Sequence, residues 1–383
     1  MVLVALSLLA VSRPQTPIAE ADFDMVGGRI YVPAEIGGHK TSVILDSGAG
    51  TAVMEKDLAD EWNLPSAGEV PVGGVGKERV MGKLLKDVKV SVGEVKTPMR
   101  IALPLLSLAA AEGRRLDSII GFEFFKSHVV EVDYAKRHVR IFGPDGPASS
   151  GKAVPVRIVN NHPHITTEIA ISGKTYSMET MIDSGASGSG LTARFVKNNP
   201  FQVPTTAKTV IGGGVGGFIE GTLFRPDSVT IGGVSLAKPI MTMTTEGAGG
   251  SPGAASLYDL SVGADLLKRF KVTFDYPHNR MIFEPSADAS KPFEADKAGM
   301  RIYAEGKDLR TFRVKGVLPG SSSDRAGVKA EDIIETVNGK PASSLSLTEL
   351  RELFRSGESK GWSLGLLRGE QRVTIRVDAK SVI

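Results

Sequence analysis

The feature that most constrains this chain is a short motif that occurs twice, once at Asp46 and once at Asp183. The first copy reads VILDSGAG and the second reads MIDSGASG, so each aspartate follows apolar residues and begins an Asp-Ser-Gly-Ala sequence. A single Asp-Ser-Gly is common in turns and says little by itself. Two copies become informative when the sequences around them repeat as well, because a repeat indicates one structural unit used twice.

The surroundings of the two motifs repeat in register. Equivalent residues keep their order along the chain, and their separation rises slowly from 137 to 142 residues. The pairs that show this are Asp46 with Asp183, Gly93 with Gly232, Gly121 with Gly263, and Asp133 with Asp275. Chance matches would not stay in register over so much of the chain. The sequence therefore predicts one fold present twice, with small loop insertions in the second copy.

The segments inside each copy are typical of β-strands. Short runs rich in β-branched residues, such as RIYVPAEI, TSVILD, VKVSV and HVRIF, are bounded by glycine and proline. One helix per copy is expected after the glycine of IIGFEFFKS and after the glycine of SVGADLLKRF. Each copy is therefore expected to be mainly β.

Composition excludes several classes of function. Lys and Arg number 46 against 43 Asp and Glu, and no dense basic block occurs, which argues against a nucleic-acid partner. The absence of cysteine excludes disulfides, thiol nucleophiles and cysteine-ligated metals. His162 and His164 flank a proline in a predicted turn, and no helical histidine pair supports them as ligands. We therefore expect structural or surface roles for both histidines, no metal and no cofactor.

Two carboxylates brought together across a pseudo-twofold axis can hydrolyse amides, whereas one at a strand end does so poorly. Like charges about 3 Å apart cannot both ionise, so such a pair shares one proton. The ionised group can deprotonate a water molecule while the protonated group hydrogen-bonds the scissile carbonyl. The repeat therefore predicts that Asp46 and Asp183 form a catalytic pair in which neither is fixed as the acid.

The residues after each aspartate suit supporting roles. Gly48 and Gly185 permit a tight turn and let backbone N–H groups approach the carboxylates. Ser47 and Ser184 supply hydroxyls that could hydrogen-bond across the axis and lock the two loops together. The apolar residues before each aspartate anchor the strand, so that the carboxylate is held in place before substrate arrives.

These motifs resemble those of retropepsin-like aspartic proteases. The shared pattern is apolar-apolar-Asp-Ser/Thr-Gly-Ala, then a glycine-rich hairpin, then an apolar-apolar-Gly element at Ile119-Ile120-Gly121 and, less strictly, at Ser261-Val262-Gly263. The resemblance covers roughly residues 26 to 285. Retropepsins usually dimerise to unite two such loops, but this chain carries both, as two-lobed pepsins do. The resemblance implies two tandem closed β-barrel lobes that form a pseudo-twofold aspartic protease.

In that family a β-hairpin flap closes over the substrate. The candidates are GGVGKERVMG (Gly73 to Gly82) and GGGVGGFIEG (Gly212 to Gly221), whose glycines suit a mobile tip that contacts substrate through its backbone. The alternative is an ordinary glycine-rich hairpin. The residues assigned to substrate binding in this way are Gly73, Gly74, Val75, Gly213, Gly214 and Val215.

The sequence departs from the family at the fourth residue after each aspartate. Viral retropepsins carry another acid there, whereas this chain has Gly50 in one copy and Ser187 in the other. Since that position shapes the cleft, specificity cannot be transferred. The expected function is an aspartic endopeptidase acting on peptides or proteins. The alternative is a catalytically inactive peptide-binding scaffold of the same fold.

The last hundred residues resemble a PDZ domain of the bacterial protease-associated kind, with two helices on a β-rich fold. AGVKAEDIIETVNGK is the most specific segment, and a helix is expected over Ser346 to Phe354. PDZ domains bind peptides by adding a strand at an exposed edge and taking a C-terminal carboxylate in a loop of backbone N–H groups. Here that loop would include Gly299 and Met300. The alternative is that this region serves only as a packing or assembly module.

Four segments follow from these patterns. We expect a possible leader at 1–21, a first lobe at 22–146, a second lobe at 153–286 and the PDZ domain at 298–380. The apolar run from Val2 to Val11 is too short to span a bilayer and resembles part of a secretory signal, although positive residues before it are missing. It predicts an exported, periplasmic or extracellular protein without a transmembrane span. A buried first strand would leave the protein cytoplasmic.

Overall fold

The structure is a computed structural model that describes residues 16–72, 80–103, 109–147, 151–203, 207–214, 217–244, 257–355, 360–381 and 383. It is mainly β, as the sequence predicts. Among the described residues, no helix has the length and apolar character needed to cross a membrane.

The first repeat forms strands separated by three short helices. The helices are α1 (Lys56–Glu61), α2 (Ala109–Glu112) and α3 (Phe122–Ser127). The strands are β1 (Ala19–Asp22), β2 (Asp24–Val26), β3 (Arg29–Ile36), β4 (His39–Leu45), β5 (Ala52–Met54), β6 (Ser66–Val72), β7 (Val80–Val92), β8 (Val95–Leu103), β9 (Ser118–Ile120), β10 (Val129–Asp133) and β11 (His138–Phe142).

The second repeat forms the same kinds of element, with α4 (Ala193–Asn198) and α5 (Ala264–Leu267) as its helices. The strands are β12 (Lys152–Pro155), β13 (Arg157–Val159), β14 (His162–Ile171), β15 (Lys174–Ile182), β16 (Gly190–Leu191), β17 (Ala207–Gly214), β18 (Gly217–Phe224), β19 (Ser228–Ile231), β20 (Val234–Ala237), β21 (Met241–Met243), β22 (Leu260–Val262), β23 (Phe270–Asp275) and β24 (Arg280–Pro285). A 3-10 turn at Tyr276–His278 joins the last two strands.

Each repeat builds its own sheet, and the two sheets have equivalent strand orders. The first runs β2-β3-β4-β9-β5-β8-β7-β6, and an additional pairing of β3 with β7 closes it on itself. The second, written in the opposite direction, runs β17-β18-β21-β16-β22-β15-β14-β19-β20. The long strands β7 and β8 correspond to the pairs β18–β19 and β20–β21, because the second copy breaks each strand in two. The duplication inferred from sequence is therefore also a duplication of topology.

A six-stranded sheet joins the two repeats, in the order β1-β11-β10-β23-β24-β12. Its centre is the antiparallel pair β10–β23, in which Val130 faces Phe274. Strand β1 pairs with β11, so the last residues of the expected leader segment, Ala19 to Ala21, contribute to this sheet. Residues 1–15 of that segment lie outside the described part of the chain.

The apolar interior of both repeats is continuous across this shared sheet. Phe125 of the first repeat packs against Phe274 and Tyr276 of the second, with ring centroids 5.1 and 5.5 Å apart. Aromatic pairs at such separations add stability beyond the area they bury. The two repeats therefore share one hydrophobic core.

The C-terminal region folds around a separate core that contains the buried ring of Trp362. Its helices are α6 (Ser322–Ala326) and α7 (Leu347–Arg355), the second of which begins one residue after its expected start. Short 3-10 turns occur at Ala287–Ser290 and Ala342–Ser344. The strands, which pair in the order β25-β26-β27-β29-β30 with β28 beside β27, are β25 (Met300–Glu305), β26 (Thr311–Val317), β27 (Ile333–Val337), β28 (Lys340–Pro341), β29 (Gly361–Arg368) and β30 (Gln371–Asp378).

Candidate active site

The two aspartates occupy equivalent positions at the ends of buried strands. Asp46 follows β4 and Asp183 follows β15. Each backbone amide donates to a strand that runs parallel beside it: Asp46 N to the Ile120 carbonyl and Asp183 N to the Val262 carbonyl, both at 2.9 Å. The strand that precedes each aspartate is thus held to its neighbour up to the carboxylate itself.

The carboxyl groups of Asp46 and Asp183 meet at the interface of the repeats and hydrogen-bond to one another. Each carboxyl also lies against the glycine of the opposite loop. A Cβ added at Gly48 would fall within 3.0 Å of the Asp183 carboxyl, and one at Gly185 would fall equally close to that of Asp46. Only glycine leaves room for this approach, so the glycines do more than permit a turn.

Backbone amides solvate one oxygen of each carboxylate. Gly48 N donates to Asp46 Oδ1 at 2.8 Å. Gly185 N and Ala186 N donate to Asp183 Oδ1 at 3.0 and 2.9 Å. Such bonds favour the charged form of a carboxyl group. The second loop offers one more amide than the first, which makes the two members of the pair unequal.

Ser47 and Ser184 connect the two loops through four hydrogen bonds. Ser184 Oγ accepts from Ser47 N at 2.9 Å and donates to the Leu45 carbonyl at 2.8 Å. Reciprocally, Ser47 Oγ accepts from Ser184 N at 3.0 Å and donates to the Ile182 carbonyl at 2.8 Å. Both serines are buried. These four bonds connect the two loops across the axis.

Burial controls the titration of the pair. It is the largest cause that raises the pKa of Asp46 well above its ordinary value, followed by the negative charge of Asp183. Burial also raises the pKa of Asp183, against the lowering effect of its bond to Asp46 and of the amides. The two groups are coupled, so the raised pKa belongs to the pair. One proton is retained between them well above the pH at which free aspartate ionises.

The apolar-apolar-Gly elements pack directly against the two Asp-Ser-Gly-Ala loops. A Cβ at Gly121 would fall within 3.0 Å of the Ala49 carbonyl oxygen, and one at Gly263 equally close to those of Ala186 and Gly188. Phe122 N, which follows Gly121, donates to the Ala49 carbonyl at 2.9 Å. Because both residues are glycines, each loop can lie in direct contact with the end of its parallel strand.

Arg29 is a component of the site that the sequence motifs did not identify. It begins β3 directly after a two-residue turn, and its Nε donates to the Gly185 carbonyl at 2.5 Å. Its Nη1 lies 2.7 Å from both carboxylate oxygens of the buried Glu112. Arg29 also lowers the pKa of Asp46 and of Asp183 through its positive charge. No local pattern marks it, because its partners are 83 and 156 residues away.

His162 is the equivalent of Arg29 in the second repeat, since it begins β14 after a matching two-residue turn. Asn161 in that turn donates from Nδ2 to the Gly50 carbonyl at 3.1 Å. A Cβ at Gly50 would lie 3.3 Å from the His162 ring. Each repeat therefore reaches the loop of the other, but with different side chains.

Two buried tyrosines near the aspartates, Tyr134 and Tyr276, were also not predicted from the sequence. They follow the equivalent residues Asp133 and Asp275 and so occupy matching positions in the repeats. Burial raises the pKa of both phenols, and the charges of Asp46 and Asp183 raise it further. Their shared Asp-Tyr context could have identified them as a repeated pair.

The expected flaps correspond to hairpins. Strands β6 and β7 pair up to Val72 and Val80, and β17 pairs with β18 up to Gly214 and Gly217. Gly213 and Gly214 lie near the end of β17. The candidates Gly73, Gly74, Val75 and Val215 fall outside the described residues, so their role stays a prediction.

The remaining residues considered from the sequence lie outside the site formed by the two aspartates. Gly299 has a φ of +77° and precedes Met300, the first residue of β25. The ring of His164 is buried, with Nδ1 2.9 Å from Glu179 Oε1. Within the described ranges, no group of three or more His, Cys, Asp or Glu residues could hold a metal ion.

Known families match two parts of the chain. An aspartyl protease family model matches residues 32–124, and a PDZ domain model matches residues 313–368. Similar curated proteins include the UBA domain-containing protein Mud1 of Schizosaccharomyces pombe, 26% identical over 35% of this chain and 39% of its own length. DNA damage-inducible protein 1 of Neurospora crassa is 26% identical over 33% of this chain and 28% of its own.

A bacterial protein is similar as well. The periplasmic pH-dependent serine endoprotease DegQ of Escherichia coli is 40% identical over 95 residues, which are 24% of this chain and 18% of DegQ. This chain therefore spans less than two fifths of the length of each of these relatives. The protease family match falls within the first repeat, while the strand order and the paired loops described above extend the same arrangement to the second.

Proposed function

Because the chain carries an aspartyl protease domain followed by a PDZ domain, we propose that it is an aspartic endopeptidase whose catalytic pair is Asp46 and Asp183. The observation that carries the proposal is the hydrogen-bonded contact of the two carboxyl groups, one from each repeat. A scaffold without catalysis would not need two carboxyl groups held together at an energetic cost.

The proposed reaction uses one ionised and one protonated carboxyl group. The ionised group takes a proton from a water molecule, whose oxygen attacks the carbonyl carbon of the peptide bond. The protonated group gives its proton to the carbonyl oxygen, so a neutral tetrahedral intermediate forms. When the C–N bond breaks, the nitrogen takes the proton held by the pair, and one hydroxyl of the intermediate returns its proton to the pair as the carbonyl re-forms. Water is consumed and the pair returns to its single-proton state.

The supporting residues serve that reaction in three ways. The amides of Gly48, Gly185 and Ala186 stabilise the ionised state of the pair, which must carry one negative charge before water is activated. Ser47 and Ser184 hold the carboxyl groups at a fixed separation. The hairpins β6–β7 and β17–β18 are proposed as flaps that close on an extended peptide.

Cleavage of a peptide library from about pH 4 to pH 8, with and without a statine-type transition-state inhibitor, tests the proposal. Asp46→Asn and Asp183→Asn should each lower kcat/KM by about a thousandfold or more while the circular dichroism spectrum stays unchanged. Asp87→Asn is the matched control, because Asp87 is exposed on β7. Full activity in either dyad variant would exclude the mechanism. Inhibitor binding without hydrolysis by the wild-type chain would favour the scaffold instead.

We also propose that the protein acts outside the cytoplasm. The apolar run from Val2 to Val11 supports export, and one similar protein, DegQ, is described as periplasmic. Fractionation of producing cells and N-terminal sequencing of the mature chain test this. A cytoplasmic chain that retains residues 1–15 would contradict it.

A further inference from the structure

The peptide groove expected for the PDZ domain lies between β25 and α7. Strand β25 is at the edge of its sheet, in the order β25-β26-β27-β29-β30. PDZ ligands add as a further strand at such an edge. Helix α7 packs against the same strand and supplies the opposite wall.

A segment of the protease domain, Ala109–Gly113, occupies this groove. Helix α2 packs against β25. Arg351 on α7 donates from Nη2 both to the Ala111 carbonyl at 2.9 Å and to the Ile302 carbonyl on β25 at 2.7 Å. A Cβ on Gly113 would fall within 3.0 Å of Leu347 Cβ. The segment therefore lies against both walls of the groove.

The loop that would hold a ligand carboxylate already holds one from this chain. Asp296 accepts hydrogen bonds from the backbone of Gly299 and Ala298. The amide of Lys297 is also used, since it donates to the Phe354 carbonyl at 3.0 Å. Asp296 thus takes donors that a free peptide C-terminus would need.

The docked segment connects directly to the catalytic loop. Glu112, between Ala111 and Gly113, pairs with Arg29 at 2.7 Å. Arg29 in turn donates to the carbonyl of Gly185, the residue whose amide bonds the Asp183 carboxylate. Glu112 is buried and the Arg29 side chain retains 17% of its exposure, so this ion pair is largely shielded from water. Shielded, hydrogen-bonded pairs of this kind are costly to break.

We propose that the PDZ groove is an intramolecular docking surface whose ligand is the segment Ala109–Gly113, and that this docking positions Glu112 and Arg29 against the catalytic loop at Gly185. Arg29 is accordingly a positioning residue. The PDZ domain supports the active site from within the same chain, rather than serving as a receptor for free C-terminal peptides. The catalytic consequence rests on the proposed function, whereas the docking itself does not.

Hydrogen–deuterium exchange on the full chain tests the docking and its reach. Gly113→Ala should disturb the groove contact with Leu347, and Gly38→Ala is its matched control. Both glycines have positive φ, +68° and +91°, but a Cβ at Gly38 meets nothing within 4 Å. Gly113→Ala should raise exchange about tenfold in peptides covering residues 109–116, 300–305 and 183–186, and the control should not.

Each outcome of that experiment decides part of the proposal. Exchange that rises in the groove but not in residues 183–186 would overturn the link to the catalytic loop. Exchange equal to that of Gly38→Ala everywhere would overturn the docking. If Gly113→Ala fails to fold, Glu112→Gln provides the second test, because it removes the ion pair without changing shape. None of these readouts needs catalysis, so a failure of the proposed protease activity remains distinguishable.

A pH profile separates positioning from a general loss of structure. Arg29 lowers the pKa of both catalytic aspartates, so Arg29→Gln should move the pH window of cleavage upward. Glu112→Gln leaves the arginine charge less compensated and should move it downward. Arg29→Lys keeps the charge and should keep the window near that of the wild type, with lower activity. If Arg29→Gln and Glu112→Gln lost activity equally and did not shift the pH window in opposite directions, both residues would have only structural roles.

Binding of free peptides provides an independent test of occupancy. The probes are fluorescein-labelled hexapeptides that end in a free Val, Leu, Ile or Phe carboxylate, each with its C-terminal amide as control. The wild-type chain should not distinguish acids from amides below about 100 μM, a concentration that corresponds to weak affinity. Tight, carboxylate-dependent binding to the wild-type chain would overturn the proposal.

Discussion

Ser47 and Ser184 exchange hydrogen bonds so that each hydroxyl accepts the amide of the other residue and donates to a carbonyl of the opposite repeat. Truncation of either serine would leave a buried amide and a buried carbonyl without a partner. Ser47→Ala and Ser184→Ala should therefore each lower the free energy of unfolding by about 1–3 kcal/mol, as measured by urea denaturation. The double variant should lose less than the sum, because both serines belong to one network. Ser66→Ala, at an exposed position, is the control, and strict additivity would argue against the network.

Gly121 and Gly263 should tolerate no side chain. A Cβ at either position would collide with carbonyl oxygens of the Asp-Ser-Gly-Ala loop of the same repeat. Gly121→Ala and Gly263→Ala should displace the carboxylates and lower kcat/KM by about a hundredfold, because catalysis is sensitive to shifts near 1 Å. Gly188→Ala is the matched control, since it lies in the same loop region and its Cβ meets nothing within 4 Å. A wild-type kcat/KM in both Gly121→Ala and Gly263→Ala would show that the loops can shift without loss of activity.

The pair Asp46 and Asp183 should make stability depend on pH. Both aspartates have raised pKa values in the folded chain, so folding is favoured while the pair is protonated and this contribution is lost as pH rises through the raised pKa. Relative to Asp46→Asn, the wild-type free energy of unfolding should fall between about pH 4, where unfolded aspartate ionises, and the raised pKa of the folded pair, by about 1.4 kcal/mol for each unit of pKa shift. Denaturant titrations across that range measure it. Parallel stability curves would contradict the raised pKa values.

The PDZ core can be followed with one tryptophan. The chain has two, and Trp62→Phe leaves only Trp362, which is buried in that core. In this background Asp332→Ala should lower the free energy of unfolding by about 2 kcal/mol, because it removes two 2.8 Å bonds to Arg368. The exposed Asp378→Ala should change it little.

The contribution of Asp332 should also depend on pH. The bonds from Arg368, together with the Lys329 amide, lower the pKa of this carboxyl despite its burial. A lowered pKa stabilises the fold at neutral pH, and the effect disappears as pH falls through the folded value. The difference between Asp332→Ala and its parent should therefore shrink below about pH 4. A difference that stays constant in acid would point to packing alone.

The meeting of Asp46 and Asp183 was predictable because its information is local. Asp46, Ser47 and Gly48 are adjacent in sequence, and the in-register copy at Asp183 supplied the partner without any knowledge of the contact. The topology was predictable for the same reason, since a duplicated sequence folds into duplicated sheets. The broken strands β18–β19 and β20–β21 were not, because loop insertions in the second copy carry no signal of where pairing stops.

Arg29 and Glu112 were not predictable, because their importance arises only when three parts of the chain dock. Neither belongs to a motif, and Glu112 reaches Arg29 from a short helix that contacts β25 of the PDZ region. The sequence predicts the carboxylate-binding loop of the PDZ region at Gly299. Its use of the Asp296 carboxylate depends on the local fold, and nothing in the spacing indicated it.

The shared sheet centred on β10 and β23 has a consequence for how this protein can vary. When a catalytic site is assembled from two identical chains, every residue enters it twice and any change is imposed on both sides. Here the halves are covalently tethered, so the site stays assembled at any dilution and each half can change alone. Arg29 on one side and His162 on the other are the result. Tethering frees the molecule from symmetry, so the contact of α2 with the PDZ region need not be matched by the second repeat.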